Sequence, residues 1–231
     1  MFMINYGQYS RNVIPKIFMI LLEIVILYIS FLILFRGWGD IILSHIGFHP
    51  GSGNLTRKVL FLIFNVSLFI FYLPTLLIFV RRKVTWIEAI NVAIAFSIYY
   101  LGFPLLGYSS SQKIDILDLG AIILFTSGIT LHFICEYQRH IFKSKPENKD
   151  RLLTNGLWKF SRHFNYFSDL LWVSGYVVLT RNWWSITILI ALFFFFYSFN
   201  IPIQEKYLAS KYGKEYEEYR ARTKSLIPFL L

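Results

Sequence analysis

The sequence predicts an all-α, polytopic integral membrane protein with about six transmembrane helices and a C-terminal amphipathic helix. Three observations carry this. Hydrophobic residues fill 56% of the 231 positions, against about 45–50% in ordinary soluble proteins. Charged residues fill only 16%, against roughly 25%. The apolar residues also gather into runs close to the ~20 residues that cross a bilayer core. So few charges leave a soluble domain no means of covering that much apolar surface. The same composition excludes intrinsic disorder, which needs low hydrophobicity.

The elements follow in order. The first run, Ile14 to Phe35, carries Glu23. It is too long for a signal-peptide core and no small-residue cleavage pattern follows it, so it reads as a retained helix. The second run, Val59 to Val80, stops at Arg81-Arg82-Lys83. The third covers about Trp86 to Leu106 and the fourth about Leu117 to Tyr137. The fifth, Tyr166 to Thr180, is short for a span and reads as tilted, broken or partly re-entrant. The sixth, Trp183 to Ile203, contains four consecutive phenylalanines, Phe193 to Phe196. Gly213 then breaks the helical stretch after Gln204. Tyr216 and Tyr219 recur between charges, the pattern of an amphipathic helix on or near the membrane surface. A purely structural helix fits that tail equally well.

The formal net charge is +10. A basic balance can signal nucleic-acid binding, but here basic cytoplasmic loops explain it and no nucleic-acid partner is expected. Six spans put both termini on one side. Of the 23 Lys and Arg residues, 18 then fall on that side, including Arg11, Lys16 and the stop at Arg81. The other five are Arg36, Arg57, Lys58, Lys113 and Arg181. The asymmetry predicts cytoplasmic termini. The single cysteine, Cys135, lies in an apolar run, which excludes an intrachain disulfide or a cysteine zinc site. His45 and His49 stand four apart beside Pro50 and Gly51 and read as a polar loop, so no metal site is expected. Asn54-Leu55-Thr56 matches a glycosylation acceptor, a short pattern frequent by chance.

Polar residues become dense from His132 onward. His132, Glu136, Arg139, His140 and Lys143 share one helical face. Ionisable residues at membrane depth are costly and mark functional sites, although the same residues also suit a helix emerging at the interface. A basic connection follows with Lys145, Lys149, Arg151, Lys159 and Arg162. Most of these cations serve topology. Arg162 and His163 are more specific, because they stand just before the short fifth helix, whose N-terminus favours anions. Asn165 and Asp169 lie four apart with Tyr166 beside them. An aspartate opening a membrane helix needs a partner, and Arg162 is the expected one.

These residues resemble a known group. Glu136-Tyr-Gln-Arg-His-Ile-Phe-Lys143, then Asn155-Gly-Leu-Trp-Lys-Phe-Ser-Arg-His-Phe-Asn-Tyr-Phe-Ser-Asp169, then Glu205-Lys-Tyr-Leu and Leu226-Ile-Pro-Phe resemble the steroid 5-alpha-reductase C-terminal-type family. That family sits within a wider group of membrane sterol reductases, isoprenylcysteine carboxyl methyltransferases and phospholipid methyltransferases. The match covers about residues 130–231. The chain departs from the pattern at Phe164 for Pro, Ser168 for Gly and Asp169 for Glu.

The resemblance implies one membrane domain, with residues 1–129 on the lipid-substrate side and 130–231 holding the cofactor. The implied cofactor-binding residues are His132, Glu136, Arg139, Lys143, Trp158, Arg162, His163, Asn165, Tyr166, Asp169, Glu205 and Tyr207. The activity expected first is an NADPH-dependent reduction of a C=C bond in a lipid or steroid-like substrate. Its catalytic Tyr/Glu pair would come from the N-terminal helices, with Glu23, Tyr72, Tyr99 and Tyr100 as candidates. The alternative is an S-adenosylmethionine-dependent methyltransferase of the isoprenylcysteine carboxyl or phospholipid type. A non-catalytic membrane protein of the same fold is the third reading.

Overall fold

The computed structural model describes residues 12–49, 51–80 and 82–231. Arg11, Pro50 and Arg81 lie outside the described residues. The helices are α1 (Ile14–Phe35), α2 (Trp38–His45), α3 (Leu55–Pro74), α4 (Trp86–Ser97), α5 (Phe103–Gly107), α6 (Ile116–Ser144), α7 (Phe164–Thr180), α8 (Ile186–Phe195), α9 (Ile201–Tyr212) and α10 (Lys214–Arg222). Five stretches of the described residues are long and apolar enough to cross a membrane: Ile14–Phe35, Leu55–Phe79, Trp86–Gly107, Ile116–Ser144 and Trp183–Tyr212. They make the chain a polytopic, integral membrane protein. The anticipated fifth span is helical, but α7 has 17 residues. At about 1.5 Å per residue it falls short of a ~30 Å hydrocarbon core.

Chain contacts divide the molecule into two compact units. The first comprises Met1–Ile122 and Gly175–Ser185, and the second Ile123–Ser174 and Ile186–Leu231. Helices α6 and α7 contribute to both.

In the first unit, the starts of α3 and α4 are set by side-chain caps. Asn54 caps α3 by accepting from the Arg57 backbone N–H at 3.1 Å. Thr85 caps α4 by accepting from Glu88 N–H, also at 3.1 Å. A proline explains one buried link between helices. Pro104 has no N–H, so the carbonyl of Tyr100 four residues earlier loses its helical donor. The side-chain amide of Asn65 donates to that carbonyl at 3.2 Å and to Ser30 Oγ at 2.9 Å. Its oxygen accepts from the Tyr176 hydroxyl at 2.7 Å. One fully buried asparagine thus ties α1, α3, α7 and the turn before α5, with every bond made in an apolar interior where an unmade one is costly. Phe103 stacks on Tyr176 with ring centroids 5.0 Å apart, and Phe64 meets the same ring edge-on at 5.3 Å.

A second polar knot in this unit is ionic. Arg57 is fully buried and grips Asp118 through Nε and Nη2, at 2.9–3.2 Å. Its Nη1 donates to Ser110 Oγ and to the Gln112 carbonyl. Arg181 adds Nη2 to Asp118 at 2.8 Å and pairs with Asp115. Lys58 lies over the Tyr108 ring, 3.7 Å from its centroid. Of the five cations assigned to the minor side of the membrane, Arg57, Lys58 and Arg181 are therefore structural rather than loop charges.

In the second unit, α6 and α7 approach closely because Gly128 has no side chain. A Cβ there would strike the Trp172 backbone. Cys135, Trp158 and Phe164 form a buried cluster, so Cys135 is the small apolar residue its surroundings suggested. Tyr166 stacks on Phe196 at 4.4 Å, next to Leu226. Tyr216 and Tyr219 of α10 are also buried within the protein. The tail's aromatic stripe is thus covered by the chain itself, in keeping with the structural-helix reading of the tail.

Candidate functional site

Most of the charged residues singled out in the second half converge in the second unit. Ser161, Arg162 and His163 form the turn that leads into α7. The C-terminal strap pairs with it: Arg162 N–H donates to the Lys224 carbonyl at 2.9 Å and His163 N–H to the Ser225 carbonyl at 3.0 Å. Ser161 Oγ donates at 2.8 Å toward the Ser225 and Leu226 carbonyls. The strap therefore fixes the backbone from which Arg162 and His163 project.

The Arg162 guanidinium reaches Glu205 of α9, with Nη2 at 2.6 Å and Nε at 3.0 Å from Oε1. Its Nη1 donates to the Thr223 carbonyl and, at 3.3 Å, to that of Arg220. His163 is buried, with Nε2 3.5 Å from the same Glu205 oxygen and Nδ1 2.9 Å from Gln204 Oε1. Its ring stacks on Tyr166 at 5.7 Å.

On α6, Glu136 pairs with Arg139 one turn on, and the Arg139 guanidinium lies 5.7 Å from the Trp158 ring centre. His132 Nδ1 lies 2.8 Å from Asp169 Oδ1, which also accepts from Trp172 Nε1 at 2.9 Å. His132 is within electrostatic reach of Glu136 and Arg139, and Arg139 of Tyr166. Asn165 is buried in the first turn of α7. Outside the spans, burial and the Glu205 carboxylate push the Tyr216 phenol up to about 12. Burial also pushes Tyr219 up; its hydroxyl donates to the Trp158 carbonyl.

Three expectations shift. Asp169 is not the partner of Arg162. It faces His132 and Trp172, while Arg162 turns toward α9 and the strap. Lys143 is exposed and stands apart from the cluster, tying the Arg151 carbonyl to the Tyr212 hydroxyl at 3.0 Å. Tyr207 is half-buried on α9 and interacts with Lys211.

The sequence reading also missed several participants. Gln204, Thr223 and Ser225 hold the cluster, though only the neighbouring Leu226-Ile-Pro-Phe block gave a signal. A cavity of about 380 Å³, lined by Tyr137, Ile141, Phe142, Lys145 and Gly156 among others, opens on an adjoining face of α6. Gly156 sits there at φ +66°, and a Cβ would strike the Gln138 side chain. That amide in turn accepts from Leu157 N–H at 3.0 Å.

The charge inventory of this cluster is informative. Glu136, Asp169 and Glu205 set three carboxylates against two guanidiniums, Arg139 and Arg162. A nicotinamide dinucleotide phosphate would bring several more negative charges to cations already paired. Nor is the set a phosphate cradle of free cations and backbone donors.

Comparison with known proteins agrees. Residues 92–223 match the family described as "Protein of unknown function (DUF1295)". The chain belongs to this family. It is similar to the protein-S-isoprenylcysteine O-methyltransferase of Saccharomyces cerevisiae, 31% identical over 58% of this chain and 57% of the relative. It is also similar to protein-S-isoprenylcysteine O-methyltransferase B of Arabidopsis thaliana, at 27% identity over 68% of this chain and 79% of that protein. The Schizosaccharomyces pombe protein of the same name is 37% identical over 39% of each chain. The aligned part thus spans little more than half of the S. cerevisiae relative's length.

These relatives overturn the reductase expectation. They are named O-methyltransferases, so the expected oxidoreductase activity and NADPH are withdrawn. The error arose because the blocks around Arg162, His163 and Glu205 carried a resemblance to a wider group that holds both reductases and methyltransferases. With the reductase reading goes the search for its catalytic Tyr/Glu pair among Glu23, Tyr72, Tyr99 and Tyr100. Of these, Glu23 and Tyr100 are fully buried in the first unit.

Proposed function

We propose that this protein is a membrane-embedded methyltransferase that uses S-adenosylmethionine to esterify a carboxylate carried on an isoprenoid-modified lipid or lipopeptide. The observation that carries this reading is the mixed-charge cluster of the second unit, together with relatives named as isoprenylcysteine O-methyltransferases. The cofactor is itself of mixed charge, with an amino-acid zwitterion, a sulfonium, a ribose diol and an adenine. When bound, it supplies an electrophilic methyl group on sulfur.

The donor set fits such a molecule. Glu136, Asp169 and Glu205 suit an ammonium, a sulfonium and ribose hydroxyls. Arg139, 41% exposed beside Glu136, suits the amino-acid carboxylate, and Arg162 holds Glu205 in place. The Trp158 ring suits the cation or the adenine, and Tyr166, stacked on Phe196 and His163, supports the wall behind it. The Trp158 indole N–H is buried without a hydrogen-bond partner among the described residues, as a group awaiting a ligand acceptor would be. His132, His163 and Asn165 complete the wall. Lys143 and Tyr207 are proposed only to steady its rim.

A substrate carboxylate is already a nucleophile at neutral pH, so no general base is required. The protein's work is to orient the two reactants and keep water out. The exposed apolar face of the span in the same unit, such as Ile190, Phe194 and Phe199, gives an isoprenoid chain access from the bilayer. The cation asymmetry supports cytoplasmic termini. Residues 1–129 are proposed as the lipid-substrate side.

The test uses purified full-length protein with methyl-labelled S-adenosylmethionine and N-acetyl-S-farnesylcysteine. We expect base-labile methyl ester, together with a rise in thermal midpoint on adding the cofactor alone, by mass action. Absence of both ester and stabilisation would overturn the proposal.

A further inference from the structure

The first unit holds a cavity that methyl transfer does not use. It measures about 420 Å³ and is lined by Ser109, Ser110, Ser111, Arg181, Asn182 and Trp183 among others. It lies at helix ends: the Trp86–Gly107 span finishes beside it, α7 ends at Thr180 and the Trp183–Tyr212 stretch begins there. Trp183 and Trp184 are 87% and 73% exposed. Exposed tryptophans at the start of an apolar helix mark the headgroup level of a bilayer.

The lining is built around one cation. The Arg181 side chain is 8% exposed, and both of its ion pairs run through Nη2, to Asp115 and Asp118. Its Nε–H is buried with no hydrogen-bond partner among the described residues. A buried donor left unmade is costly, so it implies a missing acceptor. Arg181 also holds φ +56° just after α7, a helix-end position where glycine is the usual residue. The chain accepts that strain and keeps the guanidinium there. Around it, the hydroxyls of Ser109 and Ser111 are exposed, and Ser110, which accepts from Arg57, has its own proton to donate.

The charge balance narrows the occupant. Arg57 and Asp118 cancel in the interior, leaving Arg181 and Asp115 as a neutral pair beside the cavity. Asp115 is 48% exposed. The Arg181 guanidinium and the Leu117 backbone N–H hold its carboxyl below the usual range, so it stays anionic. A purely anionic headgroup drawing on Arg181 would leave Asp115 sharing its cation, whereas a headgroup with its own ammonium would bring Asp115 a second one.

We propose that this cavity binds the headgroup of a zwitterionic phospholipid bearing a primary ammonium. The phosphate lies against Arg181 and the serine hydroxyls, the ammonium lies against Asp115, and the acyl chains run past Trp183. This assignment is independent of the methyltransferase reading.

The test is thermal unfolding of delipidated full-length protein in detergent. Dioleoyl phosphatidylethanolamine, phosphatidylcholine, phosphatidylglycerol or inorganic phosphate is titrated in. Phosphatidylethanolamine is expected to raise the midpoint most, because phosphatidylcholine lacks ammonium N–H donors and phosphatidylglycerol lacks the cation. Asp115→Asn is expected to erase the preference over phosphatidylcholine. Ser109→Ala with Ser111→Ala, confined to exposed hydroxyls, tests the phosphate side even if the aspartate variant folds poorly. It is expected to weaken the response to phospholipids by about fivefold to tenfold. Equal stabilisation by all three lipids in the parent protein would overturn the proposal, as would an unchanged preference in Asp115→Asn together with an unchanged phospholipid response in the serine variant. A response to inorganic phosphate matching that to the lipids would reduce the cavity to a simple anion site.

Discussion

Arg57 and Arg162 are both buried arginines clamped on carboxylates, yet they are buried for different ends. Arg57 spends all three guanidinium nitrogens on Asp118, Ser110 and the Gln112 carbonyl, and Asp118 is itself fully buried and shared with Arg181. Arg162 also engages all three nitrogens, but on Glu205 and two carbonyls of the C-terminal strap. Glu205 is 17% exposed, is shared with buried His163, and sits among other half-committed groups such as the Trp158 indole. The first network is closed and serves the fold. The second leaves Glu205 partly exposed and the Trp158 N–H unmatched among the described residues, which is why the proposed cofactor is placed there. Buried charge alone does not mark a site; incompletely satisfied buried charge does.

The comparison breaks most visibly at Arg57. Arg57→Ala leaves Asp118 buried with Arg181 as its remaining ionic partner. Removing one member of a buried pair costs about 3–5 kcal/mol. We expect a large drop in thermal midpoint in detergent and loss of the monodisperse peak in size-exclusion chromatography. Arg57→Lys should not restore it, because a point charge cannot make the two-pronged contact. A midpoint close to that of the parent would show that the closed network is ornamental.

Glu205→Gln probes the open network and should do less to the fold and more to binding. The amide retains the shape and one acceptor, so about 1–3 kcal/mol of stability is lost. The stabilising response to S-adenosylmethionine should fall by at least about tenfold, since a charge-assisted contact is replaced by a neutral one. If Glu205→Gln instead collapses the protein as Arg57→Ala does while cofactor binding in the surviving fraction is normal, the two arginines have the same role.

What was legible in the sequence follows the range of the interactions. The spans were legible because an apolar run is local, and α7 was marked as short. The face His132, Glu136, Arg139 was legible because helical spacing is also local, and the structure keeps it together with Arg162, His163 and Asp169. Pairings were not legible. Arg57 and Asp118 stand 61 residues apart, so Arg57 was counted as a loop cation. Asp169 was matched to Arg162 by proximity in sequence, although α6 and α7 cross at Gly128 and hand it to His132. The α10 tyrosines displayed an amphipathic stripe, but periodicity does not say whether lipid or protein covers it. The resemblance covered a group that holds both reductases and methyltransferases, so the arginine–histidine block alone could not separate them; which carboxylate pairs with which cation became visible only once the side chains were placed together.

The smallest expected effect compares one tyrosine from each network. Tyr108, in the first unit, is pushed up to about 12 by burial and by its 2.9 Å hydrogen bond to Asp40. Tyr216, in the second, is pushed up to about 12 by burial and the Glu205 charge, with Arg162 pulling the other way. Both phenols therefore hold their protons more tightly when folded than the usual value of about 10 for an unfolded tyrosine. Their contribution to stability is complete below pH about 10 and is lost as pH rises through about 12. Unfolding midpoints measured from pH 8 to 12 should fall less steeply in Tyr108→Phe and Tyr216→Phe than in the parent, by about one proton's worth of slope each. Lysines titrate in the same range but cancel in the difference between variants. Arg162→Gln should then separate the networks. It removes the cation that opposes Glu205 at Tyr216, moving the Tyr216-dependent part of the alkaline limb to higher pH while leaving the Tyr108 part in place. A shift of both parts together would mean that the charge felt at Tyr216 belongs to the whole molecule rather than to the Arg162–Glu205 pair.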